Sequence, residues 1–292
     1  MTSENIYRPE PVGEFTLEWL VRELNRISYD LEDLHMSGYD FGLEVARGNV
    51  SGMSKVNKFG RATDCDSADG YVDVWDGQAG GTNTWIAPTQ ARTHQIASTS
   101  ASDDGAPAGV GARTIQVYGL TDWDTKEVSE TITMNGTTNV ATANSYVIIH
   151  RMKVLTKGAT NVNVGVISAT ADTDATVTAQ INVGEGQTQM AIYGVPSVQT
   201  AYLSSYYSSA VKGVTTTSIG ISLLNNPEPD SELLNFQTKH TQGLSTDGSA
   251  YIQHIANPPM TFSGPCILKI QADSSVNNSD VSAGFDLYLE DN

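Results

Sequence analysis

Residues 112–120, ARTIQVYGL, and residues 127–136, EVSETITMNG, decide the fold. Apolar Ile115 and Val117 alternate with Thr114, Gln116 and Tyr118, the period of two expected when successive side chains leave opposite faces of an extended chain. β-Branched residues favour that conformation, and the Asn135-Gly136 pair closing the second stretch suits a tight turn. The same grammar recurs to the end of the chain: SYVIIHRMKVLT (145–156), NVNVGVIS (161–168), ATVTAQINV (175–183), QTQMAIYGV (187–195), TTSIGISLL (216–224), SAYIQHIAN (249–257), MTFSGPCILKIQA (260–272) and AGFDLYLED (283–291). Turn residues such as Gly184 to Gly186 and Asn225 to Pro229 separate these strands, and no helical period intervenes, which excludes parallel βαβ architecture. The expectation is a mainly β protein, an antiparallel jelly-roll-like β-sandwich preceded by one N-terminal α-helix.

That helix is read from TLEWLVRELNRISYDLEDLHMSG, residues 16–38, with Thr16 placed to cap it and Gly38 to stop it. Leu17, Leu20, Leu24, Ile27, Leu31 and Leu34 recur at spacings of 3, 4, 3, 4 and 3, which keeps one seam turned toward a partner as in a coiled coil. Trp19 and Val21 lie off the seam and widen the apolar face, which favours a docked anchor. With under three heptads, the pattern also fits an amphipathic helix lying on its own domain. An all-aliphatic seam is compatible with dimers and trimers. Three regions follow: an arm and anchoring or oligomerising helix over 1–40, an irregular connector with short strands over 41–90, and a sandwich body over 91–292.

With 16 Lys plus Arg against 33 Asp plus Glu, the net charge of −17 argues against nucleic acid and anionic membrane surfaces as partners. No run nears the roughly 18 apolar residues of a membrane span, and the start carries no basic segment followed by an apolar one. Two cysteines, Cys65 and Cys266, are too few for a disulfide framework and read as buried thiols.

Motifs of catalysis are missing: no phosphate-binding glycine loop, no G-x-S-x-G elbow, no H-E-x-x-H. His35, His94, His150, His240 and His254 stand singly, with no H-x-H pair of a metal-binding barrel. In TDCDSADGYVDVWDG (63–77), Asp64, Asp66, Asp69, Asp73 and Asp76 supply oxygen ligands. The calcium-loop template nonetheless puts Ala68, Asp69 and Trp75 at its fifth, sixth and twelfth positions, so a solvated acidic turn is expected and a surface Ca2+ is the alternative. No cofactor and no catalytic residue is assigned. In AYLSSYYSS (201–209), Tyr202, Tyr206 and Tyr207 form either a packed sheet or subunit interface, or a sugar-stacking surface for a host glycan.

The succession DVWDG (73–77), ARTHQIASTSASDDGAPAGVGARTIQVYGL (91–120), EVSETITMNGTT (127–138), NSYVIIHRMKV (144–154), and GEGQTQMAIYGVP (184–196) with AYLSSYY (201–207) resembles a family of virion structural proteins of tailed, marine-type bacteriophages. The resemblance implies a non-enzymatic β-sandwich component of the particle; the helical seam adds the expectation of a homo-oligomer meeting capsid, neck or tail proteins, and the scarcity of cysteine that of assembly in the reducing host cytoplasm. The N-terminal helix is similar to the anchors such proteins use, and the family offers no catalytic residues to carry over. A receptor- or glycan-binding fibre or spike module is the alternative within the same setting.

Overall fold

The structure, a computed structural model, describes residues 17–38, 41–77, 84–211, 217–246 and 249–292, with side chains of the first helix described only as far as Ile27. It divides into two compact units, Met1–Ser51 and Gly52–Asn292.

The first unit holds α1 (Leu17–Gly38) and α2 (Phe41–Arg47). An ion pair one turn apart supports α1, Arg26 with Glu23 at 2.6 Å, and another supports α2, Arg47 with Glu44 at 2.8 Å; both are exposed and weak. α2 stops where Gly48 takes φ +78°, and the amides of Gly48 and Asn49 bond back to the carbonyls of Val45 and Glu44. That is the left-handed glycine cap of a helix C-terminus.

The second unit is all antiparallel β. Its strands are β1 (Met53–Cys65), β2 (Val72–Asp73), β3 (His94–Ser98), β4 (Ala112–Leu120), β5 (Val128–Thr133), β6 (Val140–Ala141), β7 (Ile148–Lys157) and β8 (Ile167–Ala171). They continue as β9 (Val177–Ile181), β10 (Ile192–Val195), β11 (Gln199–Val211), β12 (Thr217–Asn226), β13 (Gln237–Thr246), β14 (Ser249–Ser263), β15 (Cys266–Ser274) and β16 (Ser279–Asp291). One sheet runs β1-β16-β11-β14 and a second runs β10-β15-β12-β13, with β2 also on β15. The partners are nested: first strand with last, β2 and β10 with β15, β11 with β14, β12 with β13. This is a jelly roll, a long antiparallel ribbon folded over so that two sheets enclose Leu203, Tyr206, Ile221, Leu268, Phe285 and Leu287.

Strands β3 to β9 form a second sandwich, β6-β3-β8-β9 with β5-β4-β7, around Trp85, Ile96, Ile115, Tyr146, Ile148 and Met152. It is inserted between β2 and β10, which line up along the same edge of β15 through Asp73↔Gln271 and Ile192↔Lys269. The body is therefore two sandwiches in one unit, and it starts near residue 52.

The stretch 41–90, expected as an irregular connector, contains α2 and the 13-residue β1, which pairs with β16 from Met53↔Glu290 to Cys65↔Ser279. Its alternation is disguised because the buried row holds Lys58, Gly60 and Ala62 where aliphatic residues would signal a strand. Gly60 is required by close approach: a Cβ there would lie 2.3 Å from the Val74 carbonyl oxygen and 2.5 Å from the Ala191 nitrogen. Gly243, on β13, has open space. Gly60→Ala should lower unfolding free energy by more than about 2 kcal/mol, and Gly243→Ala should stay within about 0.5 kcal/mol, read from urea unfolding followed by tryptophan fluorescence.

Candidate functional site

Where the two sandwiches meet, buried Lys58 on β1 and His150 on β7, with the exposed Glu127, form a polar network against Tyr193 of β10. Lys58 Nζ donates to the carbonyl oxygen of His150, and His150 Nε2 bonds Glu127 Oε2. The imidazole lies on the Tyr193 ring, centroids 4.5 Å apart. Burial presses the His150 pKa down against the opposing pull of Glu127, and Nδ1 is buried without a hydrogen-bond partner. Burial, with Arg151 nearby, also lowers Lys58 to about 7, against the opposing pull of Glu127. A cleft of about 310 Å3 opens beside this amine, lined by Asn57, Lys58, Phe59, Arg151, Gln187 and Thr188. The cationic lining stands out on an acidic chain, yet Lys58 is committed to a backbone carbonyl and Arg151 to Gln187 Oε1 at 3.2 Å. Its chemistry is that of a strut tying β1 to β7.

The acidic segment is dispersed by the fold. Asp66 and Asp69 accept backbone amides in turns, Asp76 is buried and bonded to Gln189 and Asn182, and Asp73 forms an ion pair with Lys269. Burial is the main cause lifting Asp76 to about 7. Among the described residues no group of three or more His, Cys, Asp or Glu is placed to hold a metal ion. Cys65 and Cys266 are both free and buried, and burial raises each thiol to about 12.

The tyrosine trio is split. Tyr202 and Tyr207 stand on the outer face of the β1-β16-β11-β14 sheet, Tyr202 donating to Glu290 at 2.8 Å and Tyr207 accepting from Asn57 at 3.1 Å. Tyr206 takes the packed alternative: it is fully buried and bonds His240. A bulge between Leu203 and Ser205 shifts the register, so residues four apart leave opposite faces. Beside Tyr206, His240 and His254 stack with centroids 4.3 Å apart. Their proximity has no signal in the sequence, because β13 and β14 belong to different sheets.

On α1, Leu17, Leu20, Val21, Leu24 and Ile27 are exposed, from 43% at Ile27 to 77% at Leu17, and Trp19 is half-buried. The side chains of Leu31 and Leu34 lie outside the described residues. Among the described residues, no helix is long and apolar enough to cross a membrane.

The chain matches no protein-family model and no curated protein. Among solved structures it is similar to chains of infectious bursal disease virus. One is from the structure of the Gx strain, at 7% identity and a TM-score of 0.23, covering 81% of this chain and 72% of that one. Another is from the crystal structure of the VP2 subviral particle, at 8% identity and a TM-score of 0.18, covering 82% and 72%. Likenesses of that size carry no argument about this chain. The fold class rests on its own strands, which are antiparallel and make it mainly β.

The strut has a pH signature. A lysine at about 7 in the fold and about 10.4 when unfolded binds fewer protons folded than unfolded between those values. Stability therefore rises with pH across that window, and the cost of burying the charge is fully present below it. The stability of the wild-type protein relative to Lys58→Met should climb from about pH 7 to about pH 10, measured as urea midpoints at a series of pH values.

Proposed function

We propose that this chain is a non-enzymatic structural protein of a tailed-bacteriophage virion, joined to its own copies and to head, neck or tail proteins through α1, with the double sandwich displayed outward. The observation that carries the reading is the exposed apolar face of α1. A soluble helix turns its apolar stripe toward a core. Here Leu17, Leu20, Leu24 and Ile27 are uncovered on a unit that is compact by itself. Their heptad spacing is self-complementary, so a second and third copy of this chain are the natural cover, giving a dimer or trimer. The resemblance of roughly residues 65–210 to phage virion proteins supports the setting. A net charge of −17 keeps unassembled copies of the chain apart, and apolar contact along the helix must offset that repulsion.

Each leucine buried in such a seam contributes about 1.5–3 kcal/mol. In the full-length chain, Leu20→Asp with Leu24→Asp should weaken self-association at least ~100-fold while leaving the body folded, read by sedimentation equilibrium and circular dichroism. The same variant should be lost from purified particles; a variant that stays assembled and incorporated refutes the anchoring role.

A second reading, a glycan-binding fibre or spike module, is favoured by the outer face bearing Tyr202 and Tyr207. Aromatic rings beside Glu290, Asp286 and Asn57 combine a stacking surface with hydroxyl-binding groups. On a glycan array the intact protein should then bind, and Tyr202→Ala with Tyr207→Ala should lose the signal without losing stability; silence from the intact protein removes this reading.

A further inference from the structure

Asp73 on β2 and Lys269 on β15 form an ion pair inside the body, their side chains 0% and 3% exposed. Lys269 Nζ lies 2.8 Å from Asp73 Oδ1 and 3.1 Å from Oδ2. A nitrogen that near to both oxygens of one carboxyl is close to the carbon between them, in the roughly 3–3.5 Å range of a near-attack contact. The Trp85 amide donates to Oδ2 at 2.8 Å, whereas Oδ1 has no hydrogen-bond donor apart from the ammonium it faces. The Phe236 ring covers Nζ at 4.1 Å, and Ile192 and Leu224 flank Lys269 across the sheet.

We propose that Lys269 and Asp73 are a modification site: after folding they condense into an intramolecular amide between Nζ and Cγ, releasing one water. The ammonium first passes a proton to Oδ1, the oxygen without another donor, leaving a neutral amine and a neutral acid. The amine lone pair then attacks Cγ, forming the C–N bond while the C–Oδ2 π pair moves onto Oδ2, where the Trp85 amide stabilises it. Nζ yields a second proton to Oδ1, the C–Oδ1 bond breaks, and water leaves. Oδ2 becomes the amide carbonyl, and the third proton stays on nitrogen. Nothing is oxidised or reduced, and no co-reactant is needed.

The surroundings favour this outcome. Two ions held away from water carry a desolvation cost that a neutral amide does not, and the released water gains the bulk solvent. Apolar neighbours on each side keep water from returning to hydrolyse the bond. The link would fasten β2, from which the chain departs into the second sandwich, to a central strand of the first. It stands independently of the assembly role, since it concerns only the body.

Intact mass spectrometry of the denatured full-length protein is the test. The expected mass is that of the sequence less one water, and a protease digest should yield a branched peptide joining Asp73 to Lys269. The paired substitution Asp73→Leu with Lys269→Met, which leaves no unpaired buried charge, should restore the full mass. The unmodified sequence mass in the wild-type protein, or separate linear peptides carrying Asp73 and Lys269, overturns the proposal. So does a water loss that mild alkaline hydrolysis reverses or that survives in the double variant, which would mark a succinimide at an Asp-Gly step such as Asp76-Gly77. Should the double variant fail to fold, the branched peptide in the wild-type digest decides alone.

Discussion

β15 is covered on both faces, and much of the body follows from that constraint. Leu268, Ile270 and Ala272 point into the jelly-roll core, while Ile267 points into the core of the inserted sandwich. Lys269 shares the parity of Ile267 and so has no route to solvent. A buried ammonium needs a countercharge, and Asp73 supplies it from the last residue of β2. The pair thus marks the place where the chain leaves one sandwich to build another. Across this joint the outgoing and returning segments bond to each other, Ala191 to the Val74 carbonyl and Asp76 to the Gln189 carbonyl. Gly60 lets β1 lie against both.

A second sandwich grafted into a turn of the first is tolerated because each has its own core. The insertion's ends are held side by side by β15, so inserting some hundred residues between β2 and β10 leaves the nested pairing of the outer ribbon intact. Buried carboxylates organise the insertion locally. Asp103, fully buried, accepts the Ser98 hydroxyl and the amides of Ala112, Val164 and Gly165 from three separate segments. Polar groups in this body serve mostly to satisfy the backbone and close turns. In the helical unit, Leu17, Leu20, Leu24 and Ile27 are exposed, and the proposed assembly role rests on them.

Legibility in the sequence depended on whether the buried row of a strand was apolar. β4, β5, β9, β12 and β16 announced themselves through Ile115, Ile132, Ile181, Ile221 and Leu287. β1 did not, because its inward row contains a lysine and a glycine. β11 read either as a packed strand or as a tyrosine surface, and the bulge at Leu203/Ser205 divided the trio between the two. The strut of Lys58, His150 and Glu127 was invisible, since its members are far apart in sequence and each looks like a solvated side chain.

The sequence by itself determined the class: period-two alternation without intervening helices requires antiparallel sheets, and one heptad-spaced segment requires a helix with an apolar seam. Those are local properties, set by which face of the backbone each side chain leaves. Only the tertiary structure decided that there are two sandwiches, that Tyr206 turns inward, and that Lys58 and Lys269 are buried. Each of these depends on which distant strand lies across the sheet. Pairing partners and bulges are chosen by the packing of the whole chain, and nothing within a single strand encodes them.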